Sequence, residues 1–455
     1  MRNRLFSLVA VFAAAFVLVA CFDDEKDDAS NGYDETAITL FSVESINVPK
    51  DTLTKAGADT VVISALKPKK YKFYIDQITG TVYNPDSLPY GADATKVIVS
   101  VTNKNGGRVF IKSTTDESFT AFSTKDSIDF SQPRIFRTYT VNGAAYRDYT
   151  VKVNVHKEKG DDFVWNSLGT QTALVALSAK KAFVDNGRIY VFGVKSGRTY
   201  GYYSSETDGQ TWTEITTNFA QDAYKSVVAQ NGMLYLVDNQ QLMSSTDAQT
   251  WQAIGSESLA TLLGSCETEL YGLTTSGDVK VSTDGGLTWN AETFDADVAK
   301  FPTSNVSYTV HSLKTNTNIT QIMLAGEVSG TQKTNVWTKM VDKQATATYK
   351  WSFVEVETGL VLPAMPNLHL IRYDGKDLAL GTDSNASKGV VVSADGGITW
   401  KRNTLYPYPL NFTASTSFAA AVDSNHFIWI FNGGNVWKGR LTRLGWASSQ
   451  KEFMR

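Results

Sequence analysis

Carboxylates recur at matched positions in this chain, and positioned carboxylates are a common means of acid–base work on a glycosidic bond. Asp284 lies in Ser282-Thr283-Asp284-Gly285-Gly286-Leu287-Thr288-Trp289, and Asp395 in Ser393-Ala394-Asp395-Gly396-Gly397-Ile398-Thr399-Trp400. Two looser copies, Ser205 to Trp212 and Ser244 to Trp251, carry Asp208 and Asp247 one place later. The neighbours of these acids point to structure. Ser and Asp side chains bond nearby amides in a tight turn, Gly takes the positive φ, and Trp lays a large apolar face beneath. Asp208, Trp212, Asp247, Trp251, Ser282, Asp284, Gly286, Trp289, Ser393, Asp395, Gly397 and Trp400 are therefore read as a structural set, with the turns of the looser copies differing in geometry.

Other chemistry has less support. No Gly-x-Ser-x-Gly elbow, phosphate loop or His-Glu-x-x-His occurs. The four histidines, His156, His311, His369 and His426, are widely separated, so neither a metal nor a cofactor is expected. No catalytic residue is assigned, and the balance is against an enzyme. A binding role rests on Thr404-Leu405-Tyr406-Pro407-Tyr408-Pro409-Leu410-Asn411-Phe412, where prolines stiffen a loop whose Tyr406, Tyr408 and Phe412 could stack on sugar rings. His369 and Arg372 follow a second Pro-bearing loop, and Tyr308 and His311 occupy a comparable strand one repeat earlier. The competing reading is that these aromatics plug a narrow central channel or pack between neighbouring sheets.

The elements that would position these residues are strands. The 455 residues carry a formal charge of −3, which leaves no electrostatic footprint for nucleic acid. Aromatics make up 12%, and with abundant Thr, Val and Gly they predict an all-β protein. Residues 37–157 alternate apolar and polar, with strand candidates at 61–63, 71–74, 96–101 and 108–111 and a hairpin at Asn142-Gly143. An antiparallel sandwich is expected there. Lys157 to Asp162 is a polar boundary. From Phe163 the chain repeats, with Trp165, Trp212, Trp251, Trp289, Trp351, Trp400 and Trp446 spaced 38 to 62 residues apart. Six intervals predict six four-stranded blades over 163–455, with the two ends of that region meeting to close a ring.

The octapeptides match the Asp-box, or BNR, repeat of sialidase-like β-propellers, a resemblance that implies turns on the outer rim and a ligand face elsewhere. The sialidase pattern also requires three convergent arginines and a Tyr/Glu pair; Pro133-Arg134-Ile135-Phe136 has the wrong order for its arginine motif, and Arg188, Arg198, Arg372, Arg402, Arg440 and Arg443 show no grouping. Residues 1–20 read as a signal peptide with Arg2 and Arg4 before an apolar stretch too short to span a bilayer. Leu18-Val19-Ala20-Cys21 resembles a bacterial lipobox, which implies lipidation of Cys21 and a membrane as partner. The acidic run after it, within a tether over 21–36, resembles the surface-export signal of Bacteroidetes lipoproteins and implies an outer-membrane, surface-exposed location, the periplasmic face being the alternative. The ending of residues 37–157 resembles the immunoglobulin-like modules of such lipoproteins. The whole order resembles an uncharacterised two-domain Bacteroidetes lipoprotein family. The expected role is non-catalytic binding or scaffolding, with glycan the first ligand class and an envelope protein the next. A carbohydrate-active hydrolase of sialidase-like propeller fold, or a structural partner in a surface protein complex, is the alternative.

Overall fold

The computed structural model describes residues 35–442 apart from 69, 329–330, 332, 357–358, 383–388 and 414. The expected signal peptide, Cys21, most of the tether, Arg443 and Trp446 lie outside the described residues. Among the described residues 51% are strand and 3% helix. Within the described range, residues up to Lys159 form one compact unit and those from Gly160 another.

The first unit is built on Ile38–Leu53, a strand whose alternation is shifted by irregularities at Ile38/Leu40 and Val43/Ser45, so that Ile38, Phe41, Val43, Ile46 and Val48 are buried. It is central in a three-stranded sheet between Asp59–Leu66 and Ile98–Asn103. A six-stranded sheet holds, in order, Tyr74–Asp76, Thr81–Tyr83, Tyr146–Lys152, Arg134–Tyr139, Val109–Lys112 and Phe119–Ala121. Val82, Phe136, Tyr149 and Val151 from this sheet share one core with the first. Arg134–Tyr139 and Tyr146–Lys152 pair as a hairpin around Asn142-Gly143. Two features depart from the antiparallel expectation. Thr81–Tyr83 pairs parallel to Thr150–Lys152, which the long intervening chain permits. The strand expected over 71–74 begins only at Tyr74, because Tyr71 closes a turn on the Pro68 carbonyl and Phe73 turns inward onto Phe41, with ring centroids 4.9 Å apart.

Among the described residues the second unit holds six four-stranded antiparallel sheets. Their first strands are Lys180–Asp185, Val228–Gln230, Leu259–Ser265, Ser304–Leu313, His369–Tyr373 and Phe418–Val422. Five sheets are consecutive in the chain. The sixth takes Phe418–Val422, Ile428–Asn432 and Asn435–Leu441 from the C-terminal side and completes itself with Phe163–Thr170, registered Phe163↔Leu441 to Thr170↔Asn435. From the second sheet to the sixth, first strands of successive sheets pack on one another, the last packs on the first, and the opening strand meets the short helical turn Ala223–Ser226 that leads into the second sheet. This is the strand arrangement of a β-propeller, in which the sheets stand around an axis lined by their first strands.

Burial between sheets holds the ring. Trp337, Trp351, Tyr271 and Phe301 form one such wedge between the third and fourth sheets, with Tyr271 and Trp351 edge-to-face at 5.2 Å. Trp337 stands in the third strand of the fourth sheet, which lacks a clear octapeptide. The two full octapeptides close turns between the third and fourth strands of their sheets with matching bonds. Ser282 Oγ donates to Asp284 and accepts from Gly286 N, both at 2.8 Å, and the equivalent bonds from Ser393 are also 2.8 Å. Asp284 and Asp395 accept from Thr288 and Thr399, and the Trp Nε1 donates to the second glycine's carbonyl. In the looser copies Asp208 and Asp247 bond the amide three residues on, Thr211 and Thr250, where the full copies reach four. Trp212 and Trp251 still bond the carbonyl three residues back.

Candidate functional site

Five sheets of the second unit are traversed from axis to rim, as are the three C-terminal strands of the sixth, so the N-terminal ends of the six first strands gather at one face. Contacts between their first residues show this directly. His369, first residue of its strand, bonds through Nε2 to the carbonyl of Phe418, first residue of the next sheet's strand, at 3.2 Å. Lys180, first residue of the opening sheet, donates to Ser417 Oγ and to Leu177 O at 2.9 Å. Its neighbour Lys181 donates to the Lys225 carbonyl at 2.7 Å. Asn367 Nδ2 donates to Thr416 O at 3.0 Å, tying the approach loops together.

The electrostatics here are one-sided. Lys180 is 5% exposed, its acceptors are neutral, and burial pushes its ammonium down to about 8. Burial does the same to Lys181, which is half-buried. Neither has a carboxylate partner among the described residues. Burial also pushes His369 down to about 4, with Lys181 adding a smaller downward push, so its imidazole is neutral at pH 7. Because a carbonyl can only accept, Nε2 carries the proton and Nδ1 is bare. The channel mouth thus offers ammonium donors and an imidazole acceptor.

Of the residues singled out by sequence, only His369 falls at this mouth. Tyr308 lies over Gly264, and its hydroxyl meets Ser265 Oγ at 2.9 Å. His311 is half-buried near the far end of its strand, its Nδ1 lacking a hydrogen-bond partner among the described residues. Arg372 pairs with buried Asp377 at 2.6 Å, and Asp377 also accepts from Thr309. The aromatic loop turns inward. Tyr406 is 1% and Tyr408 9% exposed. Tyr406 donates to Asp374 at 2.6 Å and accepts from Lys376 at 2.9 Å. Phe412 stacks on Tyr408 at 4.8 Å and meets Trp437 edge-on. Tyr406 and Tyr408 are core and the half-buried Phe412 packs against it, because the prolines that stiffen the loop also press its apolar faces onto the sixth sheet, where Trp165 Nε1 bonds the Pro407 carbonyl. The described arginines have separate partners: Arg188 covers Tyr203, Arg198 bonds Asn218 O, Arg402 bonds Gly389 O, and Arg440 covers Phe427.

Sequence reasoning missed Lys180 and Lys181. Their signal was two adjacent charges at the start of the otherwise apolar run Ala182-Phe183-Val184. A separate cavity of about 450 Å³ opens at the rim, lined by Lys300, Lys333, Phe353, Val361 and Trp400 among others. Elsewhere, Lys339 Nζ is clamped between Glu269 and Glu292 at 2.9 and 2.6 Å. No group of three His, Cys, Asp or Glu suited to a metal ion occurs among the described residues.

Similar folds are found among solved structures. YCF48 from Cyanidioschyzon merolae is 16% identical, with 61% of this chain and 98% of that one covered and a TM-score of 0.30. A streptogramin B lyase is 9% identical, with 62% and 98% covered and a TM-score of 0.36. A mutant of the GH43 protein BlXynB from Bacillus licheniformis is 10% identical, with 63% and 61% covered and a TM-score of 0.29. Among curated proteins none matches this sequence. Residues 41–153 match the N-terminal domain of unknown function DUF6242, and residues 159–449 match the DUF6242 beta propeller domain. With well over half of its length matched in this way, the chain belongs to the DUF6242 family.

Proposed function

We propose that this protein is a lipid-anchored cell-envelope protein with a non-catalytic binding role, its ligand a glycan and its binding face the channel mouth. The observation that carries the reading is the convergence of Lys180, Lys181 and His369 where the first strands begin. A few polar groups fixed by rigid strands at the axis of a propeller make a preorganised site. The carboxylates Glu269 and Glu292, an obvious pair for hydrolysis, are instead tied to Lys339. That arrangement favours binding over turnover.

In the same reading, each four-stranded sheet is one blade of a six-bladed ring and the octapeptides are Asp boxes on its rim. Residues 37–157 are an immunoglobulin-like platform. Cys21 carries the lipid, and the acidic run after it directs the protein to the outer-membrane surface in a Bacteroidetes-type envelope. A scaffold that holds an envelope protein is the neighbouring reading.

The test is a glycan array probed with the chain starting after Cys21, with product analysis on every positive. Saturable binding without product release is expected. Release of product would overturn the non-catalytic role, and a folded protein that binds no glycan would overturn the ligand class. Loss of membrane association in Cys21→Ala tests the anchor, and an unchanged membrane fraction would remove it.

A further inference from the structure

We propose that the ligand of the channel mouth is an acidic sugar, its carboxylate taken by Lys181 and a neighbouring hydroxyl donating to His369. This rests on the binding role proposed above and names the ligand's chemistry.

Both ammonium groups have donors to spare and only neutral acceptors. An ammonium has three N–H groups. Lys181 spends one on the Lys225 carbonyl, and Lys180 spends two on Leu177 O and Ser417 Oγ. Ser417 Oγ is itself committed to Leu177 O at 2.5 Å, so this corner is fixed in place. Every one of these acceptors is neutral. A cation withdrawn from water is costly unless an anion or several good acceptors replace the solvent. Two adjacent lysines in that position, with no carboxylate partner among the described residues, leave the charge to be met from outside. Lys180 is nearly enclosed and reinforces the field, whereas Lys181 is half-buried and is the one that can touch a ligand.

His369 narrows the class. Its Nε2–H is committed to Phe418 O, and its ring packs edge-on against Phe418 at 5.5 Å. The nitrogen left over is an acceptor and requires a donor. A carboxylate has none, and neither does a fully ionised phosphate ester; a sugar acid carries both a carboxylate and hydroxyls. His369 is held by the Phe418 carbonyl and Lys180 by the adjoining Ser417 hydroxyl, so His369 and the Lys180-Lys181 pair flank the same corner of the closing sheet. The rim cavity also holds Lys300 and Lys333, but there Lys300 lies over the Phe353 ring at 4.8 Å, so the two sites can be told apart by substitution.

Calorimetric titration of the chain starting after Cys21 tests this with three probes: a glucuronate-bearing oligosaccharide, the matched neutral oligosaccharide and inorganic phosphate. The acidic probe should bind, more weakly as salt is raised. Lys181→Met should weaken it about 10- to 100-fold, the loss expected for one hydrogen bond to a charged group. Lys181→Gln, which keeps a donor for Lys225 O, should show the same loss if Lys181→Met misfolds. Lys333→Met should leave affinity unchanged. Equal binding of the neutral probe would overturn the acidic assignment while leaving the binding role intact, as would glycan binding that excludes the acidic probe. Equal binding of phosphate would overturn the sugar-acid assignment. Loss with Lys333→Met but not with Lys181→Met would move the site to the rim. Failure of every glycan on the array would instead defeat the binding role itself.

Discussion

Replacing Tyr406 and Tyr408 together by alanine separates a ligand loop from a core. Read as a ligand loop, the pair could be truncated with weaker binding and little change in stability. The structure requires the opposite. Tyr406 is 1% exposed, edge-on to Tyr373 at 6.0 Å, and its hydroxyl bridges Asp374 and Lys376. Tyr408 is 9% exposed and stacks on Phe412. Truncating a buried aromatic costs about 3–5 kcal/mol. Two in one cluster are not strictly additive, yet their sum approaches the 5–15 kcal/mol by which domains are typically stable. The double variant should therefore be unfolded or barely folded at 25 °C. Tyr406→Phe isolates the hydroxyl: it removes two hydrogen bonds but leaves Lys376 on Asp374 at 3.2 Å, costing about 1 kcal/mol, or roughly 2–4 °C in Tm. Thermal unfolding followed by circular dichroism reads both. A double variant melting within about 2 °C of the parent would refute the burial argument and restore the loop to the surface.

Three further outcomes follow from packing and charge. Lys180 falls from an ordinary 10.5 to about 8 on folding, so the unfolded chain binds the extra proton between those values and stability should rise with pH across that window. Lys180→Met should remove about 3 kcal/mol of that penalty at pH 7, less the lost hydrogen bonds, and should flatten the slope; urea midpoints at pH 7 and 9.5 that move in parallel for parent and variant would contradict this. Lys339→Met leaves Glu269 and Glu292 without their shared cation and should cost about 3–5 kcal/mol, partly recovered by adding Glu292→Gln; an unchanged unfolding midpoint would show that the pair is solvated. Gly397→Ala should destabilise by about 2–4 kcal/mol, since φ is +94° and a Cβ would strike Met323 Sδ, and Gly286→Ala should behave alike against Leu242. Wild-type melting of either variant would remove the strained turn from the account.

Much of the architecture was legible because it rests on local rules. Two octapeptides with Asp, two glycines and Trp at fixed spacing can close only one kind of turn, and Asn142-Gly143 closes a hairpin wherever two alternating strands flank it. The parallel pairing of Thr81–Tyr83 was not legible, because partners 69 residues apart leave no local trace. The site was less legible still. His369, Lys180 and Lys181 are unremarkable in sequence, and they become neighbours only because the last sheet closes on the first.

The sequence by itself therefore determined that the chain is all-β, where its repeats begin, and which turns its glycines and aspartates make, since periodicity and turn chemistry act over a few residues. Only the tertiary structure decided which polar groups meet and which aromatics are hidden. Burial depends on what the rest of the chain places opposite: the same proline-stiffened loop could have offered Tyr406 to solvent, but the closing sheet covers it and leaves the lysines at the mouth without an acidic partner among the described residues.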